Sequence, residues 1–178
     1  MMSAKPAAQD NGIHPPAVAL EAGKAAPLLN AVAEMARASG AFESVEATPT
    51  EVVCAAQGPE DEAHYRLAFD AIDASLRLAL TTPARYLSQS IEQELVHTGD
   101  KLHDLLRDEM IDADHPAPAK LTFEHFRDPE KRYTFRVRVP AADAALDAAE
   151  TARRVWLLLK AFEATFRELG GMKGGEDD

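Results

Sequence analysis

Cysteine is almost absent from this 178-residue chain, where Cys54 stands alone. One thiol makes no intramolecular disulfide and no multi-cysteine metal site, so nothing calls for an oxidising compartment and a cytoplasmic location is expected. Bases are also in deficit: 19 Lys and Arg face 30 Asp and Glu, a formal charge of -11 with a pI near 5.0. A general binder of nucleic acid or of an anionic membrane needs the opposite balance, so neither is an expected partner. No hydrophobic run approaches a membrane span. Near the N-terminus, Lys5 is followed by Gln9, Asp10, Asn11 and prolines instead of an apolar signal core. Neither signal peptide nor transmembrane helix is expected. What remains is 46% hydrophobic and 28% charged, enough for an ordinary globular core.

The chain divides on composition into an arm over residues 1–14, one α+β domain over 15–170 and an acidic tail over 171–178. The arm and the tail hold too few large apolar groups to offset their ordering entropy and are read as disordered. Pro27 suits the first position of a helix carrying Leu28, Leu29, Val32 and Met35, which Gly40 ends. Val45, Val52, Val53 and Cys54 around Thr48-Pro49-Thr50 predict a short strand hairpin over Phe42 to Gln57.

Between Pro59 and Pro116 the apolar residues keep helical spacing on two segments hinged at Thr82-Pro83, which predicts a long acidic helical hairpin. In the first segment Tyr65, Phe69, Ile72, Leu76 and Leu80 make one stripe. Leu67, Ala71, Ala74 and Leu78 make another on nearly the opposite side, the pattern of a helix buried on two faces. Arg66 with Asp70, and Asp73 with Arg77, are spaced to pair along it. In the second, Leu87, Ile91, Leu95, Thr98, Leu102, Leu105 and Leu106 share about 100° of arc, with a kink or interruption at Gly99-Asp100. His115-Pro116-Ala117-Pro118 is a stiff linker. Leu121 to Pro140 alternates around Asp128-Pro129-Glu130-Lys131 and reads as a β-hairpin. From about Ala141 to Leu169 a helix aligns Ala148, Ala152, Val155, Leu159, Phe162, Phe166 and Leu169 before Gly170-Gly171. The expected fold is α+β: a helical hairpin and a long C-terminal helix packed on a small antiparallel sheet built from two β-hairpins.

No catalytic constellation is legible. There is no Gly-x-Ser-x-Gly elbow, and Gly170-Gly171-Met172-Lys173-Gly174-Gly175 lacks the preceding strand and the Lys-Ser/Thr ending of a phosphate loop. Cys54, in an Ala- and Val-rich strand, reads as small packing material with an unactivated thiol. Glu94 and His97 form a Glu-x-x-His step, the spacing by which helix bundles hold two-metal centres. The chemistry needs a second step, and only Asp variants occur, at Asp61 with His64, Asp100 with His103 and Asp112 with His115. Solvated histidines are the simpler reading, and no cofactor is expected. The acidic run from His103 to His115 lacks the ligand order and central glycine of an EF-hand loop.

Charge is unevenly placed. Lys120 to Val139 holds six bases and three acids, while Glu60 to Asp114 holds thirteen acids and five bases. Within the last hairpin Arg132, Arg136 and Arg138 lie on one side of the strand, and Tyr133, Phe135, Val137 and Val139 on the other. Such a face either pairs with the chain's own acids or docks an acidic partner, a second copy included. Arg153, Arg154, Trp156, Leu157, Lys160 and Arg167 give the last helix a basic flank, with Trp156 either widening the core or anchoring an interface. In acidity, small size and a β-hairpin followed by a terminal helix, the chain resembles small secretion chaperones at the level of architecture alone; the long helical hairpin departs from that plan. The expected function is non-catalytic protein-protein interaction or assembly, adaptor- or chaperone-like, with self-association and with Arg132, Arg136, Arg138 and Trp156 as candidate contacts. The alternative is a helix-bundle metal protein or metal-dependent enzyme using Glu94 and His97.

Overall fold

The computed structural model describes residues 20–58, 62–140 and 146–170. The expectations for the arm, the tail, Asp61 and the first residues of the last helix lie outside these. The described residues build a mixed α+β fold with helix α1 (Ala22–Ser39), strands β1 (Phe42–Ala47), β2 (Glu51–Ala56), β3 (His64–Asp70) and β4 (Ser75–Thr82), and helices α2 (Arg85–Thr98) and α3 (Leu102–Asp112). Strands β5 (Phe123–Arg127) and β6 (Tyr133–Arg138) and helix α4 (Ala148–Leu169) complete it. The strands form one antiparallel sheet in the order β1-β2-β3-β4-β6-β5.

Both expected β-hairpins are present, as β1–β2 and β5–β6. Thr48 makes the first turn, its hydroxyl accepting from the Glu51 N–H at 3.1 Å. In the second, the Asp128 carboxylate accepts from the Arg132 N–H at 2.8 Å. A third hairpin, β3–β4, corrects the sequence reading, because the segment expected as the first helix of a helical hairpin is two paired strands from His64↔Thr81 to Asp70↔Ser75. Its two apolar stripes each draw on both strands, and Ala71, Ile72 and Ala74 of those stripes lie in the turn between them. Tyr65, Leu67, Leu76, Leu78 and Leu80 all face the core, while Ala79 and Thr81 are buried from the other side. A strand closed off on both sides shows no clean alternation, and a continuous apolar run also fits a buried helix. The turn conceals itself as well. Its left-handed position is filled by Ala74, at φ 51°, and the Asp70 carboxylate accepts from the Ile72 N–H at 2.9 Å. No glycine or proline marks it.

The second half of the expected helical hairpin is helical but divided. Gly99, at φ 71°, ends α2, its N–H bonded to the Leu95 carbonyl, and α3 starts afresh at Leu102. A left-handed residue halts the α2 ladder, and glycine adopts that conformation without a Cβ penalty. Thr82 ends β4; its hydroxyl accepts from the Ala84 N–H at 3.1 Å and donates to the Glu62 carbonyl at 2.6 Å. The expected break therefore lies where it was read, with the helix entered at Arg85 instead of Pro83. Helix α1 begins earlier than expected, at Ala22, which leaves Pro27 inside it. Helix α4 is capped by Asp147, which accepts from the Glu150 N–H at 2.7 Å.

All four helices share one hydrophobic core with one side of the sheet. Phe162 of α4 meets Tyr65 of β3 edge-on at 6.2 Å and stacks on Phe123 of β5 at 5.9 Å, and Phe166 lies 5.4 Å from Phe135 of β6. Leu29 and Val32 of α1, Ile91 of α2, and Leu106 and Met110 of α3 close the layer. Among the described residues no helix is long and apolar enough to cross a membrane. An antiparallel sheet covered on one side leaves its other side to polar residues, and that side carries Arg136 and Arg138.

Candidate interaction surfaces

Strand pairing sets the outer side of the sheet. One cross-strand row runs Val53, Arg66, Ala79, Arg136, Glu124, and the next runs Glu51, Ala68, Arg77, Arg138. Arg136 and Arg138 therefore share this surface. Arg132 precedes β6 and is taken up by its own turn, with Nε 2.8 Å from Asp128 Oδ2 and Nη2 2.6 Å from Glu130 Oε2. Arg66 and Arg77, which the helical reading of 64–82 kept out of the group, belong to it. The overlooked signal was the alternation His64, Arg66, Ala68, Asp70 and Ser75, Arg77, Ala79, Thr81.

The arginines of this face meet carboxylates of the same chain. Arg66 lies 2.9 Å from Glu51, and Arg136 lies 2.7 Å from Glu124 while its guanidinium covers the Phe126 ring at 4.8 Å. Arg77 and Arg138 are directly opposite, an arrangement that repels. Asp73, reaching in from the β3–β4 turn, contacts both, at 2.5 Å and 3.9 Å. The Ser75 hydroxyl, followed by the two guanidiniums, holds the Asp73 carboxyl below its ordinary range, and the Arg136 hydrogen bond does the same for Glu124. Arg138 is the most open of the four, 56% exposed and 3.9 Å from its nearest carboxylate. Lys120 contacts Asp104 and Arg138 contacts Asp73, so the charge asymmetry read along the chain is partly closed within the molecule.

The second surface lies on the helical layer. On α4 the residues Arg153, Trp156, Lys160, Ala164 and Arg167 share one arc, opposite the buried arc of Val155, Phe162 and Phe166. From Trp156 to Arg167 this arc and the C-terminal end of α1 line an open groove of about 530 Å³, whose apolar lining is Met35, Ala38, Ala41, Trp156 and Ala164. Trp156 is half-buried, packed on the core on one side and open to the groove on the other. Glu163 also lines the groove although it is only 8% exposed, and burial raises its carboxyl above the ordinary range. Its oxygen is 3.6 Å from Arg167, an ion pair outside hydrogen-bond range. Among the described residues Lys160 has no ion-pair partner.

The remaining candidates are dispersed. Glu94 and His97 are both exposed on α2, and among the described residues no three His, Cys, Asp or Glu side chains are grouped as a metal site. His103 lies 3.4 Å from Asp104, and His115 Nδ1 accepts from the Ala117 N–H at 3.0 Å. His125 was not singled out by the sequence. Its ring stacks on Phe135 at 3.9 Å, with Nε2 2.6 Å from Glu92 of α2 and Nδ1 3.0 Å from the Thr134 carbonyl, so it ties β5 to α2. Cys54 is buried in β2 beside Tyr65, and burial pushes its thiol up to about 12, an inert packing residue as read. Large apolar side chains stand in the open at Ile72 on the β3–β4 turn and at Tyr86 and Val96 on α2, exposed by 98%, 80% and 83%. No protein-family model, no curated protein and no solved structure matches the chain.

Proposed function

We propose that the protein works by non-catalytic interaction or assembly, adaptor- or chaperone-like, in the cytoplasm. The observation that carries this reading is Trp156 on the wall of an open groove, beside Lys160 and Arg167. A large aromatic held by the core yet open on one side, with cations next to it, is the composition of an interface anchor. Tyr86 and Val96, exposed on α2, and the open Arg138 on the sheet supply further contact surface. The feature that set the chain apart from the small secretion chaperones in architecture, a long helical hairpin, is replaced by a strand hairpin and two shorter helices. That likeness remains one of architecture.

Native mass spectrometry of the gently purified chain tests the reading, since one spectrum reports subunit number and retained companions. A defined oligomer or hetero-complex is expected. Trp156→Ala or the pair Arg136→Ser with Arg138→Ser should weaken it while circular dichroism and the melting transition still report a folded protein. A monomer without companions at every protein concentration would refute the proposal.

A further inference from the structure

We infer that the groove between α1 and α4 takes an acidic amphipathic helix of a partner protein. This rests on the interaction reading above and adds the chemistry of what is bound. Three properties of the groove select that occupant.

Apart from Ser39 and the nearly buried Glu163, its lining between the cations is apolar, with three short side chains among it. Ala38, Ala41 and Ala164, with Met35 and Trp156 between them, leave room for large apolar side chains to enter from outside. Its length along α4, from Trp156 to Arg167, is about 16 Å at 1.5 Å per residue, three turns of a helix. A helix lying there presents residues at i, i+3 or i+4, and i+7 to such a lining. The groove is open, and enclosure is what a small-molecule site requires.

Its rim is cationic on a molecule of formal charge -11. Lys160 and Arg167 line the groove at its middle and at one end, and Arg153 follows on the same arc of α4 just beyond Trp156. Arg153 is 3.9 Å from Glu150 and Arg167 is 3.6 Å from Glu163, both too long for hydrogen bonds. Lys160 has no ion-pair partner among the described residues. The guanidiniums and the ammonium thus keep donors for incoming carboxylates, and a basic helix would meet like charge.

Selection from a displayed library of 16-residue helical peptides on the wild-type protein, with counter-selection on Ala164→Arg, tests the inference. The enriched sequences are expected to carry apolar residues at helical spacing and an excess of Asp and Glu. Peptides made from the consensus should shift the emission of Trp156, the chain's only tryptophan. They should bind at least tenfold more weakly to the exposed-site variant Lys160→Glu, and more weakly in high salt. Enrichment of basic or uncharged sequences, or no enrichment, would overturn the inference. So would a wild-type dimer that Ala164→Arg dissociates, which would assign the groove to a second copy. A stoichiometric partner in the native spectrum without acidic selection would sink only this inference. A companionless monomer would sink the interaction reading as well.

Discussion

The central hairpin β3–β4 and the edge hairpin β5–β6 lie in one sheet and solve different physical problems. β4 has a strand on either side and the helical layer above, and seven of its eight residues are buried. β5 has one neighbour, and none of its five residues is fully buried. The centre therefore places Leu76, Leu78 and Leu80 inward and small residues such as Ala79 outward, where arginines and carboxylates of adjoining rows close over them. The edge keeps Glu124 and Arg127 exposed, charges that discourage pairing with another chain. Stability should accordingly be concentrated in the centre and solubility in the edge.

The sharpest way to break this contrast is Leu78→Ala against Phe126→Ala. Leu78 is fully buried, and losing its side chain with little room for collapse should cost about 3–4 kcal/mol in urea unfolding. Phe126, half-exposed beneath Arg136, should cost under about 1 kcal/mol. Equal costs would mean that the sheet is not graded from centre to edge.

A smaller effect sharpens the turns. Each hairpin turns through a non-glycine residue in the left-handed region, Ala74 at φ 51° in the centre and Lys131 at φ 64° at the edge. Glycine at either position relieves the Cβ penalty but loosens the unfolded chain, so Ala74→Gly and Lys131→Gly should each raise stability by roughly 0.5–1 kcal/mol. A lower melting temperature in both would show that these turns are not strained.

The smallest effect is electrostatic. A carboxyl held low in the folded state stabilises it above the ordinary carboxylate range, and that contribution is lost as pH falls through the folded value. Asp73→Asn should lower the melting temperature at neutral pH by leaving Arg77 opposite Arg138. The difference should close as the pH is taken toward strong acid. Glu124→Gln should follow the same course with smaller amplitude, because Arg136 retains Phe126. A pH-independent difference in either would remove ion pairing as the cause.

The parts of the fold legible in advance were those whose burial is one-sided. The stripe of α4, the alternation of β6 and the stops at Gly40 and Gly99 follow from local geometry, because one face in and one face out imprints a period on the chain. Asp73 with Arg77 shows how a correct pairing arises from a wrong element. The two are ion-paired, yet across a strand turn instead of along a helix. Of the candidate contacts, Arg136 and Arg138 share a surface and Arg132 does not, since only strand register decides which arginines become neighbours.

The sequence by itself determined an α+β chain with a long amphipathic last helix, the β-hairpin before it and a lone packing cysteine. Each is a property of one contiguous segment. Tertiary structure alone decided that 64–82 pairs as strands, that Arg66 and Arg77 join Arg136 and Arg138, and that Trp156 overlooks a groove with Met35. Those outcomes depend on segments far apart in the chain supplying one another's second face, and a group closed off from both sides carries no mark of its neighbours in its own periodicity.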